Sequence, residues 1–219
     1  MEIIDMKPKC IIIGAGTYGQ VYKEYLQSEY EVKAFYDDDT TLHGKIIEDV
    51  KVKGSIKDAI ENENSSDTSV FVPIGNNPIR VKILQEFEYR GFEIPSFIHE
   101  STIIHSSTKI GKAVYILPGS KVMPLSVIGD YTMVSMGVNI AHHTIIESGC
   151  FFSQGSNIGA SILIKNLAYI GISATLMTGV KLIGSDSLIG AGAVVVKDIP
   201  DKAIVAGVPA KIIRYKKGD

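Results

Sequence analysis

The sequence predicts two structural units, an α/β unit over residues 1–98 and a parallel β-helix over residues 99–219. Three observations support this prediction. Short apolar runs alternate with helix-like stretches before Ile98, a G-x-G-x-x-G loop follows the first apolar run, and a six-residue repeat fills the rest of the chain. Alternating strands and helices favour a parallel sheet covered by helices, whereas a short fixed repeat favours a stacked coil.

The composition is that of an ordinary globular protein and argues against nucleic acid or a membrane as the partner. Basic residues number 22 and acidic residues 24, so no broad basic face for nucleic acid or an anionic membrane is predicted. Two cysteines, Cys10 and Cys150, are too few for a disulfide framework. No apolar run reaches the roughly 18 residues of a membrane span, and Glu2 and Asp5 stand where a signal peptide is basic. We therefore expect a cytoplasmic protein.

The elements of the first unit follow one another in a regular order. A buried strand, CIIIGAG at 10–16, runs into a glycine turn, and the apolar spacing that follows predicts a helix over 17–27. Further strands are predicted at 31–39 and 69–75, and a helix at 77–91. An edge strand is expected at 92–98, because Pro95 cannot donate to a β-ladder.

The glycine loop predicts a nucleotide site. Gly14, Gly16 and Gly19 permit a tight turn and a close approach of backbone to phosphate, and Thr17 begins a helix whose free N–H groups attract anions. Asp37 and Asp38 follow about 20 residues on, where an acid binds a ribose or a base edge. The unit has room for about four strands, half of a dinucleotide-binding fold. We therefore expect this half-Rossmann unit to bind one nucleotide, supplied by a nucleotide-activated sugar, rather than NAD.

Two asparagines lie where the third predicted strand ends. Asn76 and Asn77, in IGNNPIR, fall beside the glycine loop in such a fold and are candidates for binding the nucleotide. The alternative is that Asn76, Asn77 and Pro78 form only a helix cap and turn.

A six-residue repeat of large apolar residues defines the second unit. Its sixteen positions are Ile104, Ile110, Ile116, Val122, Ile128, Val134, Ile140, Ile146, Phe152, Ile158, Ile164, Ile170, Leu176 and, after one extra residue, Ile183, Ile189 and Val195. The residue four places further on is usually small or β-branched. A six-residue unit suits a short strand plus a corner, whereas hairpins would turn every 8–12 residues. We predict a parallel β-helix with both kinds of residue inside, which places Cys150 in the core rather than in catalysis.

The end of the chain resembles a known family. The segments IGAGAVVVKDI at 189–199 and IVAGVPAKII at 204–213 are similar to the closing segment of the hexapeptide-repeat acyltransferases. That resemblance implies a left-handed β-helix with three hexads per coil, a homotrimer, and acetyl-CoA or another acyl-CoA as co-substrate.

A narrower resemblance covers almost the whole chain. It rests on GAGTYGQ (14–20), FYDDD (35–39), IGNNPIR (74–80), FIHESTIIHSS (97–107) and AHHTII (141–146). These motifs, in this order, resemble the bacterial nucleotide-sugar N-acetyltransferases and their sialic-acid O-acetyltransferase relatives. The resemblance implies an N-terminal unit that holds the nucleotide of the substrate and a β-helix that transfers the acetyl group.

Two neighbouring histidines are the candidate catalytic residues. His142 and His143 lie between inward-facing Ile140 and Thr144 and are therefore expected to face outward. The resemblance implies that His142 is the general base, in a groove between two subunits, and that the backbone N–H of Ala160 stabilises the oxyanion. The family often has an acid beside the base. His143 takes that place here, so Glu147 is the candidate assistant unless the orienting group is dispensable.

The resemblance also implies the contacts of acetyl-CoA, along the β-helix toward its C-terminal coils. The candidates are Phe151, Ala160, Gly171, Ala174, Gly192 and Lys211, and Phe151 stands where close relatives carry a further histidine. No metal site is predicted.

The function expected from this resemblance is acetyl transfer from acetyl-CoA to a nucleotide-linked amino sugar, a 4-amino-4,6-dideoxyhexose. Three alternatives stay open at this point: a sugar O-acetyltransferase of the sialic-acid type, a non-catalytic nucleotide-sugar-binding scaffold, and an NAD-linked oxidoreductase.

Overall fold

A computed structural model of the chain describes residues 7–217. The chain divides into two compact units, Met1–Pro95 and Ser96–Asp219. The observed division lies three residues before the boundary expected after Ile98.

The first unit is built on a five-stranded sheet. In chain order the strands are β1 (Lys9–Ile13), β2 (Glu31–Tyr36), β3 (Ile46–Ile47), β4 (Val50–Gly54) and β5 (Thr68–Phe71), and the helices are α1 (Thr17–Leu26), α2 (Ile56–Asn62) and α3 (Asn77–Tyr89), with a short 3-10 helix at Thr40–Leu42. The sheet order is β3-β4-β2-β1-β5, and all neighbours are parallel except the β3–β4 hairpin. The interior strand β1 is buried beyond Lys9, because helices and loops cover both faces of a parallel sheet.

Local sequence explains where α2 and α3 begin. Ser55 and Asp58 form a capping box at the start of α2, with the Ser55 backbone N–H donating to Asp58 at 2.7 Å. Asn76 caps α3 by accepting the Ile79 N–H at 3.1 Å, and Pro78 stands in the first turn. The edge strand expected at 92–98 does not form as one element. Glu93 bridges to Ser69, whereas Phe97–Ile98 pair with Tyr115–Ile116 in the second unit.

The second unit is a three-sided prism of short strands. Face 1 contains Phe97–Ile98, Tyr115–Ile116, Met133–Val134, Phe151–Phe152, Tyr169–Ile170, Leu188–Ile189, Ala203–Ala206 and Lys211–Tyr215. Face 2 contains Ile103–Ile104, Lys121–Val122, Asn139–Ile140, Asn157–Ile158, Thr175–Leu176 and Val194–Val195. Face 3 contains Lys109–Ile110, Val127–Ile128, Ile145–Ile146, Leu163–Ile164 and Leu182–Ile183. The strands are parallel in all three faces, except that the last pair of face 1, Ala203–Ala206 with Lys211–Tyr215, is antiparallel. Lys121 pairs with Asn139 and Asn139 with Asn157, so one coil takes 18 residues. The predicted β-helix fold is confirmed.

The repeat builds the core of the prism. Fourteen of the sixteen predicted aliphatic positions, all but Ile104 and Ile110, are buried, and each such side chain stabilises the fold by roughly 1.5–3 kcal/mol. From Val114 onward the second inward position is also buried. Two of its side chains bond to the next coil: Thr144 Oγ1 donates to the Gly159 carbonyl at 2.9 Å, and Cys150 Sγ to the Lys165 carbonyl at 3.2 Å. Cys150 is a core residue, as predicted.

The corners of the prism impose their own residue requirements. Every sixth residue turns with positive φ, including Leu125 (61°), Gly137 (68°), His143 (59°) and Gly149 (70°). Glycines that follow an inward aliphatic residue serve a different need. A Cβ at Gly129 would lie 2.7 Å from the Glu147 carbonyl carbon in the next coil.

Within residues 7–217 we find no helix of the length and apolarity needed to cross a membrane.

Candidate active site

His142 and His143 lie at the corner where face 2 passes into face 3. Ile140 and Thr144, on either side of them, point inward with 1% and 0% exposure, whereas both histidines are exposed. The repeat therefore places both imidazoles on the outer surface of the β-helix, as the spacing predicts.

The two imidazole rings contact each other directly. Nδ1 of His142 lies 2.9 Å from Nδ1 of His143, with ring centroids 5.1 Å apart and ring planes at 87°. This is hydrogen-bond geometry between two ring nitrogens, so one nitrogen donates and the other accepts. Nε2 of His142 takes no part in this contact.

Because one coil takes 18 residues, Ala160 and Thr178 occupy the position of His142 in the next two coils. The carbonyl of His142 accepts the Ser161 N–H at 3.0 Å, which ties the two neighbouring coils together. The Ala160 N–H, predicted to stabilise the oxyanion, donates to Thr178 Oγ1 at 3.2 Å. Sequence reasoning missed Thr178, although counting one coil beyond Ala160 finds it.

A groove of about 410 Å³ runs along face 2 beside this corner. Its lining includes Ala141, Asn139, Asn157, Gly159, Met177 and Thr178. Asn139 Nδ2 donates to Asn157 Oδ1 at 2.9 Å, so amide groups of successive coils form a ladder on the outer wall. The groove combines apolar walls with a few placed polar groups, which is typical of small-molecule sites.

Glu147 and Phe151 are placed away from this corner within one chain. Glu147 lies at the other end of face 3, where Oε2 accepts the Asn166 Nδ2–H at 2.7 Å and the Asn166 backbone N–H at 3.0 Å. Phe151 lies on face 1, which does not adjoin the His142 corner; it is 5% exposed and stacks on Tyr169 with ring centroids 5.1 Å apart. Within one chain Glu147 and Phe151 therefore lie away from His142, and the ring that contacts His142 is that of His143.

The remaining predicted acetyl-CoA contacts differ in accessibility. Ala174 is fully buried inside the coil, so only its backbone can meet a ligand. Gly171 has a structural reason to be glycine, since a Cβ there would lie 2.7 Å from the Ala191 nitrogen in the next coil. Gly192 turns a corner with φ of 66° and has open space around it, and Lys211 is exposed.

The glycine loop of the first unit leaves the start of α1 open. Gly16 precedes α1 with no side-chain cap, and a Cβ added there would meet nothing within 4 Å. Gly19 is in close contact with the loop, because a Cβ there would come within 1.9 Å of the Gly14 carbonyl oxygen. The N–H groups at the start of the helix, at Thr17 and beyond, are thus accessible to an anion.

The two predicted acids both bind backbone near this loop. Asp37 Oδ2 accepts the Ala15 N–H at 2.8 Å and Oδ1 accepts the Asp39 N–H at 2.9 Å. Asp38 Oδ1 accepts the Ile56 N–H at the start of α2, at 3.0 Å. Each carboxylate oxygen has two lone pairs, so these bonds leave acceptor capacity for a ribose or a base.

The asparagine segment is more structural than the sequence predicts. Asn76 uses its side-chain oxygen as a helix cap, which is the alternative considered above, and Asn77 is only 4% exposed. Sequence reasoning missed Arg80, which is fully buried and donates from Nη1 to the Ile74 carbonyl at 2.8 Å. Ile74 in turn contacts the glycine loop, since a Cβ at Gly14 would meet Ile74 Cγ1 at 3.2 Å. Arg80 therefore supports the loop from inside.

A metal cluster is not evident in the part of the chain that the structure describes. No three His, Cys, Asp or Glu side chains in residues 7–217 are grouped so that they could hold a metal ion.

Comparison with known proteins places these features in one family. Residues 9–87 match the family model of the PglD N-terminal domain. One similar solved structure is a His-to-Ala variant of GDP-perosamine N-acetyltransferase from Caulobacter crescentus, crystallised in complex with CoA and GDP-perosamine. Its sequence is 30% identical to this chain, its TM-score is 0.86, and the alignment covers 96% of this chain and 97% of that one. The acetyltransferase domain of PglB from Neisseria gonorrhoeae, in complex with acetyl coenzyme A, is 28% identical with a TM-score of 0.86, over 94% of this chain and 100% of that one.

Curated relatives agree with this assignment. GDP-perosamine N-acetyltransferase of Escherichia coli O157:H7 is 28% identical over 189 residues, which cover 83% of this chain and 82% of that protein. Other acetyltransferases match over shorter stretches, and the chain spans only 24% to 42% of the length of four such curated relatives. The shared architecture over nearly the whole chain, at this identity, shows that the protein belongs to the bacterial nucleotide-sugar N-acetyltransferases of the hexapeptide-repeat family, which are acetyltransferases that use acetyl-CoA.

Proposed function

We propose that this protein transfers the acetyl group of acetyl-CoA to the amine of a nucleotide-linked amino sugar, a 4-amino-4,6-dideoxyhexose, with His142 as the general base. The observation that carries the proposal is the exposed imidazole of His142, whose Nδ1 contacts a neighbouring ring at 2.9 Å, at a corner beside a groove of about 410 Å³. The N-terminal unit binds the nucleotide, and the β-helix carries the base and the acetyl donor. The CoA-bound and GDP-perosamine-bound complex of the Caulobacter relative supports both substrate classes.

The chemistry follows from the nature of a thioester. The sugar amine forms a bond to the thioester carbonyl carbon, and its proton passes to His142 Nε2, since a neutral imidazole accepts protons near neutral pH. The carbonyl oxygen becomes an oxyanion, which the backbone N–H of Ala160 stabilises once that N–H is released from Thr178. The C–S bond then breaks, and the CoA thiolate leaves with the proton that His142 has taken up.

A homotrimer completes the proposal. The outward side chains of successive coils on face 3 form an apolar row of Val127, Ile145, Leu163 and Leu182, in which Ile145 is 48% exposed. Apolar rows of this kind favour association. Phe151 and His142 lie on non-adjoining parts of one prism, so they meet only if a second copy brings its face 1 to the His142 corner. Three copies place each His142 in a groove between subunits.

The experiment is a direct assay with matched acceptors. Purified protein is incubated with acetyl-CoA and with nucleotide sugars that differ only in an amine or a hydroxyl at the same carbon, and free CoA thiol is followed. We expect turnover with the amine only. Turnover with the hydroxyl alone would establish a sugar O-acetyltransferase instead, and nucleotide-sugar binding without turnover would establish a scaffold.

A further inference from the structure

The Nδ1–Nδ1 contact at the corner restricts where protons can sit. Between Nδ1 of His142 and Nδ1 of His143, 2.9 Å apart, there is room for one proton. A base at His142 Nε2 requires that nitrogen to carry its lone pair, so in the neutral ring the proton lies on Nδ1. His143 must then present an unprotonated Nδ1 and carry its own proton on Nε2.

The backbone holds the two rings in this relation. His143 turns the corner with φ of 59°, its N–H donates to the Pro124 carbonyl at 3.3 Å, and the His142 carbonyl accepts the Ser161 N–H at 3.0 Å. His143 is thus bonded to the preceding coil and His142 to the following one. Gly137 and Gly149 occupy the equivalent corner positions six residues before and after His143, so the corner itself does not need an imidazole.

The other candidate for an orienting group is already occupied elsewhere. Glu147 lies at the far end of face 3, and its Oε2 accepts two bonds from Asn166. Among residues 7–217, the ring that the structure brings to His142 Nδ1 is that of His143.

We infer that His143 is a positioning residue, which fixes the tautomer and the ring orientation of His142 by accepting its Nδ1–H. When His142 takes the proton of the amine at Nε2, the resulting imidazolium keeps its Nδ1–H bond to His143, so the charged ring stays in place. This inference rests on the proposed function of His142.

Three substitutions at position 143 distinguish the effect of the hydrogen-bond acceptor from the effect of the shape of the ring. His143→Phe keeps a ring of similar size and puts a carbon in place of Nδ1. His143→Asn puts a carbonyl oxygen at the same distance along the side chain, and asparagine tolerates the left-handed corner. His143→Gly matches the residues at the equivalent corners, Gly137 and Gly149.

The kinetic test compares these variants with the unchanged protein. We expect kcat to fall about 10- to 100-fold in His143→Phe and His143→Gly, which is the usual cost of losing an orienting partner, while KM for both substrates changes less than about 2-fold. His143→Asn should recover kcat at least about 5-fold above His143→Phe. Thermal unfolding of each variant checks that the fold is intact. If His143→Phe keeps the kcat of the unchanged protein, the inference is wrong.

A spectroscopic test does not depend on turnover. In protein labelled with ¹⁵N-histidine, the His142 ring nitrogens should report a proton on Nδ1 and a lone pair on Nε2, and His143→Phe should lose this single tautomer. An unchanged His142 spectrum in that variant would overturn the inference. Failure of the proposed function is distinguishable, because His142→Asn would then retain activity whatever residue stands at position 143.

Discussion

The carboxylate of Asp37 accepts the backbone N–H of Ala15 at 2.8 Å, and so ties the end of β2 to the glycine loop that follows β1. We predict that Asp37→Ala weakens nucleotide binding and lowers the free energy of unfolding by about 1–3 kcal/mol, because the Ala15 N–H loses a charged acceptor. Nucleotide titration and chemical denaturation measure the two effects. Asp39→Ala, which removes only the cap of the 3-10 helix at Thr41, is the control and should leave binding intact.

Two glycines of the same loop should respond differently to alanine. Gly16→Ala adds a methyl group into open space at ordinary φ and should leave the melting temperature within about 2 °C, yet weaken nucleotide binding because the methyl group blocks the phosphate. Gly19→Ala brings a Cβ within 1.9 Å of the Gly14 carbonyl oxygen and should destabilise the unit by about 1–3 kcal/mol or more. Unchanged nucleotide affinity in Gly16→Ala would contradict a phosphate site at this loop.

His142→Asn should lower kcat by about 10²- to 10⁴-fold, since it removes the nitrogen that takes the proton of the amine. Release of CoA thiol measures the effect, and binding of acetyl-CoA should persist. A variant with full activity would refute the general-base assignment.

The trimer proposal predicts an effect on the apolar row of face 3. Ile145→Glu should convert a species of three chains into single chains and lower acetyl transfer in parallel, because a buried, unpaired carboxylate opposes association. Light scattering gives the mass. Lys109→Glu, at the first strand of the same face, serves as the charge control and should remain associated.

Acid should weaken the capping box of α2. Hydrogen bonds from Ser55 hold the pKa of Asp58 below its ordinary value. Because the folded-state pKa is lowered, the contribution of Asp58 to stability is present above the pKa near 4 of an unfolded chain and is lost as the pH falls through the folded-state value. The difference in melting temperature between the unchanged protein and Asp58→Ala should therefore shrink between about pH 5 and pH 3. A constant difference over that range would contradict this account.

The β-helix was predictable because its repeat encodes burial directly. A large aliphatic residue at every sixth place specifies which side chains enter the core, and the positions of Ile140 and Thr144 then place His142 outside. In the first unit, β4 and α2 were missed. The VKVKG segment of β4 is only five residues long, and it is held in the sheet by pairing with β2, a contact distant in sequence.

The details of the candidate site were less predictable, because they depend on side-chain direction around a corner. The sequence suggested Glu147 as the partner of His142, since an acid is the usual orienting group. In the fold, the strand Ile145–Ile146 lies between the corner that carries His142 and Glu147. Asp37 was identified as a polar residue at a strand end, yet its backbone partner, the Ala15 N–H, became evident only from the fold. The helix cap at Asn76, by contrast, was one of the two alternatives that the sequence offered.

The coil length of 18 residues has a consequence for how this protein can change in size. The extra residue before Ile183 lengthens one coil to 19, and pairing resumes in the strands that follow, from Leu163 with Leu182 onward. A whole added turn beyond this point would extend the prism while leaving Pro124, His142, Ala160 and Thr178 stacked as they are. Adding coils at the C-terminal end therefore leaves the His142 corner unchanged, whereas removing them would take away Gly192 and Lys211, two of the predicted acetyl-CoA contacts.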